Sequence, residues 1–195
     1  MQTLNADFLV FSGHKMFGPT GTGILFGKEK WLDAMPPWQF GGGMIHNVSF
    51  EETSFATLPH KFEAGTPNLA GIAGLGAAFD WIQKTGSETI ARHVQSLLAY
   101  ATVQLQTIRG LHIIGQAHEK LAIISFLLDN IHPHDLATFL DQRQICVRAG
   151  HHCTQPLMDF LEIHGTVRVS FSIYNTEREI DQLVDALRAA WVFFI

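Results

Sequence analysis

The spacing of apolar residues changes from irregular to regular partway along the chain. Residues 36–68 are rich in glycine, proline and aromatic residues, and no helical or alternating period persists there for more than a few positions. Over residues 90–108, apolar residues instead recur at spacings of three and four, and Gly110 supplies a stop. We therefore predict two domains, residues 1–83 and 84–195, the first with a long irregular connection of the kind that usually carries function.

Local patterns predict the helices and strands of both domains. A buried strand at residues 7–12 leads into a glycine-rich turn, so Lys15 is expected just after a strand. In the second part, strands alternate with helices, which predicts an α/β domain. The last helix is expected to start at Thr176, which forms a capping box with Glu179. The other predicted elements are strands at residues 23–27, 122–128, 145–147 and 167–171, and helices at residues 70–83, 90–108 and 133–141.

Charge and composition argue against two classes of partner. The 47% hydrophobic and 16% charged fractions are typical of a folded globular protein. A net charge of −5 without a Lys/Arg cluster argues against nucleic-acid binding. The longest charge-free apolar run, residues 69–79, is too short for a membrane span, and the amino terminus lacks a secretory pattern. A cytoplasmic protein that binds neither nucleic acid nor membrane is expected.

The two cysteines, Cys146 and Cys153, are too few for a disulfide scaffold and lack the C-x-x-C spacing of zinc sites. The histidines next to a cysteine, His151 and His152, adjoin it in one run, and neighbouring side chains cannot easily converge on one tetrahedral ion. No metal site is therefore predicted. Cys146 lies between two apolar residues and is expected in the core.

Lys15 is the first candidate for chemistry. It follows Ser12 and Gly13 at the exit of the first strand, where glycine lets the backbone come close to a ligand. A lysine desolvated in such a place loses its proton more readily and can form a Schiff base with an aldehyde cofactor. An ordinary surface lysine is the alternative interpretation. The neighbouring glycines lack the order of a nucleotide-binding loop.

Residues 148–153 (RAGHHC) and Arg168 are the second candidates. Nearby histidines and an arginine stabilise the thiolate, the nucleophilic form of Cys153. The alternative for this thiol is burial as a small hydrophobe, the usual fate of a free cysteine. Arg168 lies within an alternating strand, where a charge needs an anionic partner, so it is a candidate for binding a carboxylate. Exposure on the open face of the strand is the alternative.

Five groups of residues occur in the order expected for one known family. They are residues 7–25 (DFLVFSGHKMFGPTGTGIL), 41–45 (GGGMI), 63–68 (EAGTPN), 148–153 (RAGHHC), and Arg168 with residues 174–176 (YNT). Together they resemble the pyridoxal 5'-phosphate (PLP)-dependent cysteine desulfurases of the SufS/CsdA group, in the class V aminotransferase family. The short run ending at Cys153 is similar to that group rather than to the IscS-like group, whose cysteine lies in a longer loop.

The resemblance implies a fold and a set of roles. The fold would be the carboxy-terminal part of an α/β PLP-dependent transferase of fold type I, with a partial large domain and a small α/β domain. Lys15 would hold PLP, Ser12 and His14 would contact its phosphate, and Thr66 would reach the cofactor of the other subunit in a homodimer. The remaining site residues would be Arg168, which binds the carboxylate of L-cysteine with help from Arg148, and Cys153, which takes the sulfur as a persulfide and releases alanine.

Members of this family carry a long preceding segment with the aspartate that pairs with the PLP nitrogen and the histidine that stacks on its ring. Residues 1–83 would then be the tail of the large domain, and exposed strand edges and apolar surface are predicted. Residues 84–195 would be nearly all of the small domain. The family typically passes sulfur to a SufE-like acceptor, for iron–sulfur cluster assembly or other sulfur delivery.

Two other functions remain open at the level of sequence. A selenocysteine lyase, or another class V PLP enzyme, would share Lys15 and use Cys153 differently. A non-catalytic fragment would bind a sulfur-carrier protein or a full-length subunit without doing chemistry.

Overall fold

The computed structural model describes residues 3–117 and 119–195. The chain divides into two compact units, Met1–Thr85 and Gly86–Ile195. The division lies close to the place where the sequence pattern changes. Among the described residues, no helix is both long enough and apolar enough to cross a membrane.

The first unit is built on two small antiparallel hairpins and one long helix. Strands β1 and β2 pair along their whole length, from Phe8 opposite Gly27 to Ser12 opposite Gly23. The irregular connection that we expected over residues 36–68 contains a short hairpin, because the Ser49 hydroxyl accepts hydrogen bonds from two backbone N–H groups and closes a turn. The elements are β1 (Phe8–Ser12), β2 (Gly23–Gly27), α1 (Glu29–Ala34), β3 (Ile45–Val48), β4 (Thr53–Phe55) and α2 (Leu69–Thr85).

The expectation that the first strand is buried is wrong. Val10 in β1 is 71% exposed, and no residue of β1 or β2 is buried. The reason is that this sheet has only two strands and is covered only in part, where Phe11 packs against Phe79 of α2. The buried hydrophobic residues described in this unit are Met44, Leu75 and Ala78. The predicted apolar surface is present.

Glycines let helix α2 approach the loop between β1 and β2. A Cβ at Gly74 would lie 2.6 Å from the Pro19 ring, and one at Gly71 would lie 2.6 Å from the Thr22 methyl group. Both distances are shorter than van der Waals contact, so larger residues would push the helix away from the loop. This contact supports the loop that carries Lys15.

The second unit is a four-stranded antiparallel sheet with helices packed on it. The strand order is β5-β6-β8-β7, so the two central strands are distant in sequence. Helices α3 and α6 contact each other, and α4 contacts β7 and β8. The elements are α3 (Ser87–Gln106), β5 (Leu111–Ile114), β6 (Ile123–Leu128), α4 (Pro133–Asp141), β7 (Arg148–Gly150), α5 (Gln155–Phe160), β8 (Thr166–Ser170) and α6 (Glu177–Phe194).

One face of this sheet forms the core. Alternate residues of β6 and β8, such as Phe126 and Val167, are fully buried and pack with Leu105 and Leu187 of the helices. Burying each such side chain contributes about 1.5–3 kcal/mol. The predicted capping box at the start of α6 is also present. Because side chains alternate along a strand, Arg168 lies on the opposite face from this core.

Two predictions about residues 145–147 are wrong. The strand lies three positions later, at Arg148–Gly150, because only those residues pair with β8. Cys146 is exposed rather than in the core. Its neighbours Ile145 and Val147 pack against the core, and Cys146 between them faces away from it.

Candidate functional site

Lys15 lies in a tight turn between the strands of the first hairpin. The turn Gly13–Met16 is a single stretch of 3-10 helix, and Phe17 after it has a left-handed backbone with φ of 60°. The Gly13 N–H donates to the Thr22 carbonyl at 2.9 Å, and the Gly18 N–H donates to the Gly13 carbonyl at 3.0 Å. Gly13 is buried, and any Cβ there would overlap the Thr22 hydroxyl. The fold of this turn therefore depends on glycine.

The turn places three of the predicted cofactor residues side by side in the chain. Ser12, the last residue of β1, is half-buried, whereas His14 and Lys15 are exposed. Within the first unit, the Lys15 side chain is therefore open to water. Thr66 is also exposed and lies on a separate segment, just before α2.

In the second unit, Cys153 lies in a turn between β7 and α5. His152 and Cys153 both have left-handed backbones, with φ of 54° and 64°. This conformation costs an ordinary residue roughly 1–2 kcal/mol. The Thr154 N–H donates to the His151 carbonyl at 2.9 Å and closes the turn. Cys153 is exposed, so the alternative interpretation, in which this thiol is buried as a small hydrophobe, is wrong.

Two glycines bring the Cys153 turn close to the beginning of β8. Gly150 and Gly165 have φ of 116° and 137°, a region that favours glycine. A Cβ at Gly165 would lie 2.9 Å from the Gly150 carbonyl oxygen and carbon. Only glycine at position 165 permits this approach, and it lets residues 151–153 pack beside Thr166.

Two arginines face each other at this edge of the sheet. Arg148 of β7 is directly opposite Arg168 of β8. Like charges directly opposite each other destabilise a sheet unless an anion lies between them. Arg168 is half-buried rather than exposed, and its Nε atom is buried without a hydrogen-bond partner among the described residues. The Nη2 atom of Arg148 lies 3.5 Å from the Sγ of Cys153.

His152 is the residue whose role the sequence analysis missed. Its Nε2 lies 2.8 Å from the Thr166 hydroxyl and 3.0 Å from the Thr166 carbonyl oxygen. Burial lowers the pKa of His152 below its ordinary value, and Arg168 and Arg148 lower it further, against a hydrogen bond to Thr166 that raises it. The adjacent histidines at 151 and 152 were visible in the sequence, but nothing local marked Thr166 as the partner.

The side chains around Cys153 line one open cavity of about 480 Å³. Arg148, His151, His152 and Cys153 all contribute to it. Its chemistry therefore combines a thiol, a guanidinium and imidazoles. Within the described ranges, no group of three or more His, Cys, Asp or Glu side chains could hold a metal ion.

Comparison with known proteins supports the resemblance seen in the sequence. A "Probable cysteine desulfurase" of Staphylococcus aureus (strain Mu50 / ATCC 700699) is 49% identical over 195 residues, which are 100% of this chain and 47% of that protein. The chain thus spans about half the length of the curated relatives it matches.

Two solved structures share the fold. The cysteine desulfurase CsdA of Escherichia coli aligns with a TM-score of 0.93 and 39% identity, over 100% of this chain and 48% of that one. A cysteine desulfurase of Thermococcus onnurineus NA1 aligns with a TM-score of 0.91 and 38% identity, over 97% of this chain and 48% of that one. Residues 1–183 also match the sequence model named "Aminotransferase class-V". The chain belongs to the class V aminotransferase family.

Proposed function

We propose that this chain is the carboxy-terminal part of a PLP-dependent cysteine desulfurase, in which Lys15 holds the cofactor and Cys153 receives sulfur from L-cysteine. Residues 1–83 would belong to the large cofactor-binding domain and residues 84–195 would form the small domain. The observation that carries the proposal is the contact between the exposed Cys153 thiol and Arg148, with Arg168 opposite.

The residues around Lys15 fit PLP by their chemistry. A phosphate group needs donors, which the Ser12 hydroxyl and the His14 imidazole supply, and an aldehyde needs an amine, which Lys15 supplies. Gly13 between them admits no Cβ, so the turn packs closely against Thr22. When bound, PLP supplies an electron sink that makes the carbon–sulfur bond of the substrate breakable.

The arginines would hold the carboxylate of the substrate. Arg168 has a buried Nε donor without a partner in the described part of the chain, and Arg148 faces it across the strands. A carboxylate between them accepts hydrogen bonds from both guanidinium groups and removes the like-charge repulsion. The substrate would thereby be oriented with its sulfur toward the second unit's thiol.

Cys153 would then take the sulfur. The thiolate attacks the substrate sulfur, the carbon–sulfur bond breaks, and a sulfur–sulfur bond forms on the enzyme. The electron pair of the broken carbon–sulfur bond stays with carbon, which takes up a proton and becomes the methyl group of alanine. The Cys153 thiol and L-cysteine thereby become the Cys153 persulfide and L-alanine. Arg148, whose Nη2 lies 3.5 Å from Sγ, contacts the sulfur at this place.

Several finer roles follow from the same proposal. The exposed Cys153 can hand its sulfur to a SufE-like acceptor, for iron–sulfur cluster assembly or another sulfur-requiring pathway. Thr66, exposed before α2, would contact the cofactor of the other subunit in a homodimer. The cytoplasm would be the place of action.

Persulfide formation tests the proposal directly. The purified chain is mixed with PLP and L-cysteine, digested, and analysed by mass spectrometry for one added sulfur atom on the peptide with Cys153. We expect the product in the unmodified chain and in Cys146→Ser, which removes the other exposed thiol, and its loss in Lys15→Ala and Cys153→Ser. A persulfide that survives in Lys15→Ala would contradict the assignment of Lys15.

A second candidate is a non-catalytic fragment that binds a full-length subunit. The apolar surface of the first unit favours it, since Trp38 is 89% exposed and Phe50 is fully exposed. Capture of an intact cysteine desulfurase by this chain, with no persulfide on Cys153 in the presence of PLP and L-cysteine, would favour this candidate over the first.

A further inference from the structure

We propose that His152 is a positioning residue that holds Cys153 in place through its contact with Thr166. The catalytic consequence of this inference rests on the proposed function, but the positioning itself does not. The turn that carries the thiol has two consecutive left-handed residues, neither of which is glycine. Such a turn persists only where the surroundings hold it.

The contact between His152 and Thr166 stabilises this turn. The Thr166 carbonyl oxygen, 3.0 Å from Nε2, can only accept a hydrogen bond, so the tautomer with the proton on Nε2 is the one that donates to it. The Thr166 hydroxyl, 2.8 Å away, lies within reach of the same atom. Thr166 itself is 1% exposed and lies at the start of β8, so it is a rigid anchor. The contact therefore joins the turn that carries Cys153 to the core sheet.

Burial and then neighbouring groups favour the neutral imidazole, which can still donate to Thr166 from Nε2. Arg148, Arg168 and His151 are the charged or titratable groups near His152 that disfavour its protonation. The Nδ1 atom is buried and has no hydrogen-bond partner among the described residues. His152 thus acts as a neutral donor from one ring nitrogen. Because it directly precedes Cys153, its contact with Thr166 also restricts the position of the thiol.

The chain offers a matched pair of variants. In His152→Gln the side-chain amide can reach the place of Nε2 and still donate to Thr166. In His152→Asn the amide is one methylene shorter and cannot reach that place. Both replacements are polar and neutral, so they differ in reach rather than in charge.

Thiol alkylation measures the position of Cys153 without cofactor or substrate. The full chain is treated with iodoacetamide at neutral pH, and each thiol is followed by mass spectrometry. Trypsin cleaves after Arg143 and Arg148, so Cys146 and Cys153 appear on separate peptides. Cys146 is exposed and serves as the internal reference, since a general loss of structure would change both rates.

We expect His152→Asn to lower the ratio of the Cys153 rate to the Cys146 rate about fivefold, the change that one net hydrogen bond produces in an equilibrium. The cause is loss of the thiol's fixed place beside Arg148. His152→Gln should restore the ratio. An unchanged ratio in His152→Asn, or an equal fall in His152→Gln, would overturn the proposal.

Thr166→Val provides a second route that leaves His152 in place. It removes the hydroxyl but keeps the shape of the side chain, and we expect a smaller fall in the same ratio. When it is combined with His152→Asn, the two effects should not add, because both remove one contact. Additive effects would overturn the proposal. None of these outcomes depends on desulfurase activity, so failure of the proposed function would leave this test valid.

Discussion

Arg148 and Arg168 lie directly opposite each other on neighbouring strands, and the Nε atom of Arg168 is buried without a partner in the described part of the chain. Two cations in this arrangement weaken the sheet on which they stand. The sheet tolerates them because Phe126, Val167 and their neighbours pack the opposite face. The site therefore carries a local cost that an anionic ligand would relieve.

Replacing Arg168 with methionine should stabilise the second unit. The change removes a half-buried charge whose Nε has no partner in the described part of the chain, and it keeps an unbranched side chain. We expect it to raise the free energy of unfolding by about 1 kcal/mol. Urea denaturation followed by circular dichroism measures the effect. Arg178→Met, at an exposed position of α6, is the matched control and should change stability little. A clear loss of stability in Arg168→Met would mean that the guanidinium already has a partner.

Stability should fall as the solution is acidified, in part because of His152. Its folded pKa lies below the ordinary value of 6.5, so the unfolded chain binds more protons in the window between the two values. The contribution is fully present above the ordinary value and is lost as pH falls toward the folded value.

The pH effect is isolated by comparison with His152→Gln, because other histidines titrate in both proteins. Urea midpoints are measured between about pH 7.5 and about pH 5.5 for each protein. The unmodified chain should lose more stability than His152→Gln over this range. Parallel curves would show that His152 contributes no pH dependence.

PLP should form a visible absorption band that depends on Lys15. The amine is exposed in the first unit and lies beside Ser12 and His14, which can contact the phosphate. We expect the band to be lost in Lys15→Ala. Lys30→Ala, which removes another exposed amine on α1, should retain it. Equal bands in both variants would indicate unselective reaction with surface lysines.

Gly165→Ala should destabilise the second unit more than Gly115→Ala. Both glycines have positive φ, and alanine in that conformation costs about 1 kcal/mol. A Cβ at Gly165 would also overlap the Gly150 backbone at 2.9 Å, whereas nothing lies within 4 Å of one at Gly115. Overpacking adds about 1–3 kcal/mol. Thermal unfolding of the two variants gives the comparison, and equal melting temperatures would contradict the close approach of Gly150 and Gly165.

Much of the local structure could be predicted from the sequence. Helix α4 has the predicted bounds, because Pro133 suits the first turn of a helix and the apolar spacing continues to Asp141. The capping box of α6 was also visible, since Thr176 and Glu179 are only three residues apart. Segments whose partners lie far away in sequence were predicted less well. The strand expected at residues 145–147 lies at Arg148–Gly150 because pairing with β8 decides its place.

The sequence by itself determined the residue types of the site and the family to which the chain belongs, because both depend on motifs of a few adjacent residues. Only the tertiary structure decided that Arg148 faces Arg168, that Cys146 is exposed, and that Cys153 stands in a turn beside Thr166. The order of the four strands brings these residues together, and the order is decided by which faces bury apolar surface. The positioning of the Cys153 thiol by His152 thus depends on the folded sheet, and no local pattern in the sequence predicts it.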